Sequence, residues 1–204
     1  MRILIMSLFF MLFSCNYKKR SKKITVQENS PSLNTPGEFP PGSTAEEVLD
    51  LYLRDWESLY ESVKTPISFD DIEEENVLGV CITWSDGVDT FNEIRIDREH
   101  FEEQIANSPI AARTIIFHEL GHCDLDRDHD SDFVDLEDSS RIPYSIMFSS
   151  LWPLPEVYSE FDDHYMRELF TGQGIFERSK PVGKAFTRVE IWENNGYTGT
   201  VIFD

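Results

Sequence analysis

Residues 107–130 read NSPIAARTIIFHELGHCDLDRDHD, and the reading of the chain turns on this run. Asn107-Ser108-Pro109 has the form of a helix opening, a side-chain cap followed by a proline whose fixed φ suits the first turn. The helix continues through IAARTIIFHELGHC, with Ile115, Ile116 and Leu120 available to pack it. His118 and His122 stand four residues apart and so share a face, where both imidazoles can reach one ion. Glu119 points roughly 100° away from His118, beside the pair rather than opposite it. Neutral imidazoles are good zinc donors, and a catalytic zinc site keeps one position free of protein ligands. An uncoordinated Glu119 is then placed to take a proton from water and pass it to a leaving amine.

The run from His118, HELGHCDLDRDHD, resembles the extended signature HExxHxxGxxH of the metzincin-like zinc peptidases, and Ser145-Ile146-Met147 resembles that family's Met-turn. The resemblance spans roughly His118 to Met147. It implies that His118 and His122 are zinc ligands, Glu119 the general base and Met147 the methionine beneath the metal, with a peptide or protein as substrate. In strict register the third ligand is Asp128, with His129 one residue late and Leu125 where the family has glycine. His129 is preferred, because one inserted residue can rebuild the turn and imidazole is the commoner donor; Asp128 is the alternative. Asp130 is a candidate acceptor for orienting an imidazole. Ser149 stands where some members have tyrosine, which makes Tyr144 a candidate hydroxyl for stabilising the transition state.

A second metal is weighed on Asp124, Asp126, Asp128, Asp130 and Asp132, which alternate, with Glu137 eleven residues after Asp126 as in a calcium loop. Ser131 replaces the loop glycine, and alternating acids in a loop are more often simply solvated. His164 and His100 read as core or surface histidines.

Outward from the motif, Thr44-Ala45-Glu46-Glu47 is a capping box ahead of a helix with apolar positions Val48, Leu51, Leu53, Trp56 and Tyr60. NVLGVCITW (76–84) and FNEIRID (91–97) read as neighbouring strands, the second a candidate to line a cleft and pair with an extended substrate. Residues 124–140 are acidic and irregular, and 141–155 are broken by three prolines. A helix is expected over 156–171, then a hairpin about Asn194-Asn195-Gly196. The fold class is α+β: a small mixed β-sheet with an active-site helix, metzincin-like, plus a C-terminal helix and β-hairpin.

The N-terminal MRILIMSLFFMLFSC is an apolar run too short to span a bilayer, and Leu12-Phe13-Ser14-Cys15 resembles a bacterial lipobox. Residues 1–14 are thus expected to be a signal peptide and Cys15 a lipidated anchor. Residues 15–42, basic and then rich in Pro, Ser, Asn and Gly, form a tether, and 43–204 one domain. The chain has 18 basic and 38 acidic residues; six of the basic ones precede Ile24, leaving 12 against 38 beyond it. That balance excludes nucleic acid as a partner. Cys81 and Cys123 form an even pair once Cys15 is set aside, able to bond if their Cα atoms lie within about 7 Å. The expectation is a monomeric, extracytoplasmic zinc metalloendopeptidase, a bacterial lipoprotein of periplasm or cell surface that touches the membrane through its lipid alone. The alternative is a non-catalytic zinc-binding surface lipoprotein, an adhesion or assembly module.

Overall fold

A computed structural model describes residues 39, 42–73, 77–85, 88–138, 140–149, 155–179, 188–194 and 197–203. The signal, Cys15 and most of the tether lie outside these residues. Among the described residues no helix is long and apolar enough to cross a membrane.

The capping box forms as read: Thr44 N–H donates to Glu47 Oε2 (3.0 Å) and Glu47 N–H to Thr44 Oγ1 (3.3 Å), opening α1, Ala45–Leu59. Its buried stripe is Ala45, Val48, Leu49, Tyr52 and Trp56, so Tyr52 holds the place assigned to Leu51, which is exposed. The reason is register, since 48, 52 and 56 repeat at the spacing that keeps one face inward. Tyr52 also donates its hydroxyl hydrogen to Pro109 O (2.6 Å), tying α1 to the motif helix.

β1 (Ile67–Asp70), β2 (Gly79–Ser85) and β3 (Thr90–Asp97) follow. β2 and β3 are antiparallel neighbours, as expected, and β1 joins β3 in parallel. β6 (Arg188–Asn194) and β7 (Tyr197–Phe203) are the expected antiparallel hairpin, and β7 pairs with β2. The mixed sheet therefore runs β1-β3-β2-β7-β6. β3 is an interior strand, paired with β2 along its length and with β1 over Ile94–Asp97.

Asp97 closes β3 and caps α2 (Arg98–Asn107), accepting His100 N–H at 2.8 Å. The motif helix, α3, spans Pro109–Leu125 with Pro109 in the first turn. Ser108 stands at its N-cap but makes no side-chain capping bond, so proline and burial rather than a hydroxyl set this start. Every α3 residue from Ala111 to Cys123 is buried. Arg113 is held there by Asp55 (Nε to Oδ2, 2.7 Å) and Asp162, and its guanidinium lies over the Phe117 ring.

One strand of the acidic stretch, β4 (Phe133–Asp135), pairs with β5 (Arg141–Pro143) just beyond it. The expected C-terminal helix is two helices, α4 (Pro155–Glu160) and α5 (Asp162–Thr171), broken at Phe161.

Candidate metal centre

Two contacts orient α3 on the sheet. A Cβ on Gly79 would meet Glu119 Oε1 at 2.8 Å, so Glu119 lies on the backbone of β2. One helical turn later Cys123 is disulfide-bonded to Cys81, with Cα atoms 5.7 Å apart. Two strand residues and four helical residues advance by nearly the same distance, roughly 6–7 Å. Helix and strand thus run in step, with Glu119 and Cys123 on the sheet side. The flank bearing Asp124 faces the chain ahead of β1, accepting Lys64 N–H (3.2 Å) and Thr65 Oγ1 (2.5 Å). His118 and His122 take the other flank, towards residues 127–129 and 145–147.

Three Nε2 atoms converge there. His118 and His122 are 3.0 Å apart, His122 and His129 3.1 Å, and His118 and His129 3.3 Å. His118 Nδ1 lies 2.8 Å from Ile146 O and His122 Nδ1 2.6 Å from Arg127 O. A carbonyl only accepts, so each Nδ1 carries the hydrogen and each neutral ring turns an Nε2 lone pair to the shared point. Lone pairs that close repel unless a cation sits between them. Zinc bonded tetrahedrally at roughly 2.0–2.1 Å separates its nitrogens by about 3.3–3.4 Å, close to the spacing seen. The donor set fits a divalent ion that favours imidazole and leaves a fourth position open. Among the described residues this is the group of three or more His, Cys, Asp or Glu able to hold a metal.

The third histidine arrives by a left-handed turn. α3 ends at Leu125, and Asp126 takes φ 54°, ψ 44°. The N–H groups of Asp126 and Arg127 both turn back to Gly121 O. Aspartate tolerates this conformation better than a branched or bulky residue. The turn residue is therefore one position beyond Leu125, and His129 follows it by three, as Asp128 follows Leu125. Asp128 is exposed and outside the cluster.

No match was found among protein-family models, curated proteins or solved structures.

Met147, fully buried, packs under α3 where a Cβ on Gly121 would strike its sulfur. The turn around it is joined to the His129 loop, since Asp130 N–H donates to Met147 O at 2.8 Å. Tyr144 is buried, its hydroxyl accepts Gly174 N–H (2.8 Å), and Arg178 lies 4.0 Å over its ring. The calcium reading finds no support either. Arg178 Nη1 bridges Asp130 Oδ2 and Asp132 Oδ2 at 2.9 Å each, Asp124 is engaged ahead of β1, and Asp126 and Asp128 are exposed. Asp130 Oδ1 meanwhile accepts Asp132 N–H at 2.9 Å.

His164 is a satisfied core histidine. Its Nε2–H donates to Tyr144 O (2.8 Å), and Nδ1 accepts Ile175 N–H (2.8 Å) and Phe176 N–H (3.2 Å). His100 pairs with Asp97 at the start of α2.

One residue beneath the centre escaped the sequence reading. Glu168 is fully buried on α5, and its carboxylate accepts Arg127 Nη2 (2.5 Å) on one oxygen and Ser145 Oγ on the other. Its only sequence signal is a carboxylate inside the apolar stripe of Tyr165 and Leu169.

Proposed function

We propose that this chain is a zinc-dependent metallopeptidase of the metzincin-like type, held at a bacterial membrane by lipid on Cys15. The observation that carries the reading is the convergence of three imidazole nitrogens, two oriented by carbonyls, with a buried glutamate next to the first ligand. His118, His122 and His129 would hold the ion. Bound zinc supplies Lewis acidity towards a peptide carbonyl and makes water more acidic.

The remaining work falls to Glu119. Its carboxylate lies next to the first ligand in the chain and against β2, which supports a role in accepting a proton from the attacking water and returning it to the departing amine. Three histidine ligands also support catalysis over a purely structural zinc, which is usually enclosed by four protein ligands.

The test is metal analysis of the purified wild type and Glu119→Ala, followed by hydrolysis of a broad peptide library. Both proteins should carry zinc in equal amount, and only the wild type should cleave. A zinc-loaded wild type that cleaves nothing would instead favour the non-catalytic zinc-binding lipoprotein. Labelling with a fatty-acid analogue, lost in Cys15→Ala, tests the anchor separately.

A further inference from the structure

The backbone carbonyls that aim the two α3 imidazoles lie on separate irregular segments. Ile146 O, which takes His118 Nδ1–H, is in the turn after β5; Arg127 O, which takes His122 Nδ1–H, is in the loop after α3. Neither is fixed by a long strand or helix of its own. Both segments nevertheless meet at one side chain, Glu168 of α5.

On one side Glu168 Oε1 accepts Arg127 Nη2 at 2.5 Å, while Arg127 Nη1 donates to Glu168 O (3.0 Å) and Leu169 O (2.6 Å). The Arg127 guanidinium is thus seated on the end of α5 by three hydrogen bonds, which restrains the residue whose carbonyl aims His122. On the other side Glu168 Oε2 accepts Ser145 Oγ–H, and the same Oγ accepts Met147 N–H at 3.0 Å. This bond shapes the turn that contains Ile146 O and seats Met147. Arg178 adds charge balance, with Nη2 3.8 Å from Glu168 Oε1 and Nη1 on Asp130 beside His129.

We propose that Glu168 is the positioning residue of the metal centre, one buried carboxylate that holds both imidazole-orienting carbonyls in place. A buried charge is costly unless paired and hydrogen-bonded, and this one is tied to the two segments that the ligands need. Its carboxylate oxygens bond Arg127 and Ser145. Its effect on the metal runs through Arg127 and Ser145. The inference rests on the reading of His118, His122 and His129 as a zinc site.

Replacing groups that orient metal-bound histidines typically lowers metal affinity about 10–100-fold. Glu168→Ala should therefore weaken zinc by about that factor in a competition titration, and alter the visible spectrum of the cobalt-substituted protein, which reports ligand geometry. Glu168→Gln keeps the shape and can still bond both partners, so it should recover much of the affinity. Arg113→Met is the control for general destabilisation, because it breaks a buried ion-pair network elsewhere on α3. It should lower the melting temperature of the metal-free protein yet leave the cobalt spectrum unchanged.

If Glu168→Ala does not fold, Ser145→Ala and Arg127→Met each remove one arm and carry the test. Each should weaken zinc several-fold. Zinc affinity and cobalt spectra equal to wild type in the folded variants would overturn the proposal. A wild type that binds no zinc would overturn the site itself, a result visible before any variant is made.

Discussion

Gly79→Ala tests the placement of the glutamate apart from the ligands. The added Cβ would sit 2.8 Å from Glu119 Oε1, 2.9 Å from its Cγ and 3.0 Å from its Cδ. Carbon atoms pack best at about 3.5–4.0 Å, so the side chain must retreat by roughly 0.5–1 Å. Glu119 is only 1% exposed, which leaves it no solvent to swing into. Crowding of this kind costs about 1–3 kcal/mol, more than the roughly 0.4–1 kcal/mol that alanine returns by restricting the unfolded chain. The net effect is a loss of stability, which lowers Tm by about 2–4 °C per kcal/mol in a chain this long. A catalytic group displaced by about 1 Å loses on the order of a hundredfold in rate. Zinc affinity should be unchanged, because the ligand imidazoles leave α3 on another flank. The assays are a thermal melt, a zinc titration and kcat/KM on a peptide cleaved by wild type. Wild-type Tm and turnover in Gly79→Ala would refute the reasoning, and loss of zinc would show that base and ligands are not independently placed.

Three further outcomes follow from the same contacts. The Cys81–Cys123 bond closes a loop with a sequence separation of 42, and the chain-entropy relation assigns it about 4 kcal/mol; reductant or the double alanine variant should lower the denaturant midpoint accordingly. Asp126→Gly relieves about 1–2 kcal/mol of left-handed strain against about 0.5–1 kcal/mol of added unfolded-chain entropy, so stability should rise by up to about 1 kcal/mol, and Asp126→Val should lower it, both read by urea unfolding. Burial holds the His164 imidazole below its ordinary pKa of 6.5. The unfolded chain therefore binds this proton first, so the contribution of His164 is present above about pH 6.5 and lost as the pH falls below it. In chelator, wild type should lose more stability than His164→Gln between about pH 8 and pH 5.5; parallel pH profiles would remove His164 as the cause.

What was legible in the sequence is what depends on neighbours in the chain. The capping box at Thr44, the proline start of α3 and the pairing of β2 with β3 all follow from short-range spacing. The α1 stripe takes Tyr52 rather than Leu51, because Tyr52 keeps the spacing of Val48 and Trp56 and its hydroxyl finds Pro109 O. α2 is not legible because REHFEEQIAN has little apolar periodicity, and Phe101, its fully buried anchor, is decided by packing against Phe69 and the core. β4 lies within an acidic stretch where composition argues for solvent. Its pairing is set by β5 and Ser179, outside that stretch.

The same distinction separates the parts of the site. His118, Glu119 and His122 are arranged by one helix, so four-residue spacing sufficed to group them. The choice between Asp128 and His129 depended on where the chain turns left-handed, which Leu125 disfavours and Asp126 permits. Moving the turn by one residue moves the inward-facing position from 128 to 129, and the exposed Asp128 is the consequence. Glu168 could not be found this way. Its partners Arg127 and Ser145 are 41 and 23 residues away, and in a chain with 38 acidic side chains its charge is no signal. Its role lies in the burial of that charge between two loops, and burial is a property of the folded chain. If Glu168→Ala proves indifferent to zinc, the two carbonyls must be fixed by their own turns, and the ligand geometry would then be as local in origin as the motif itself.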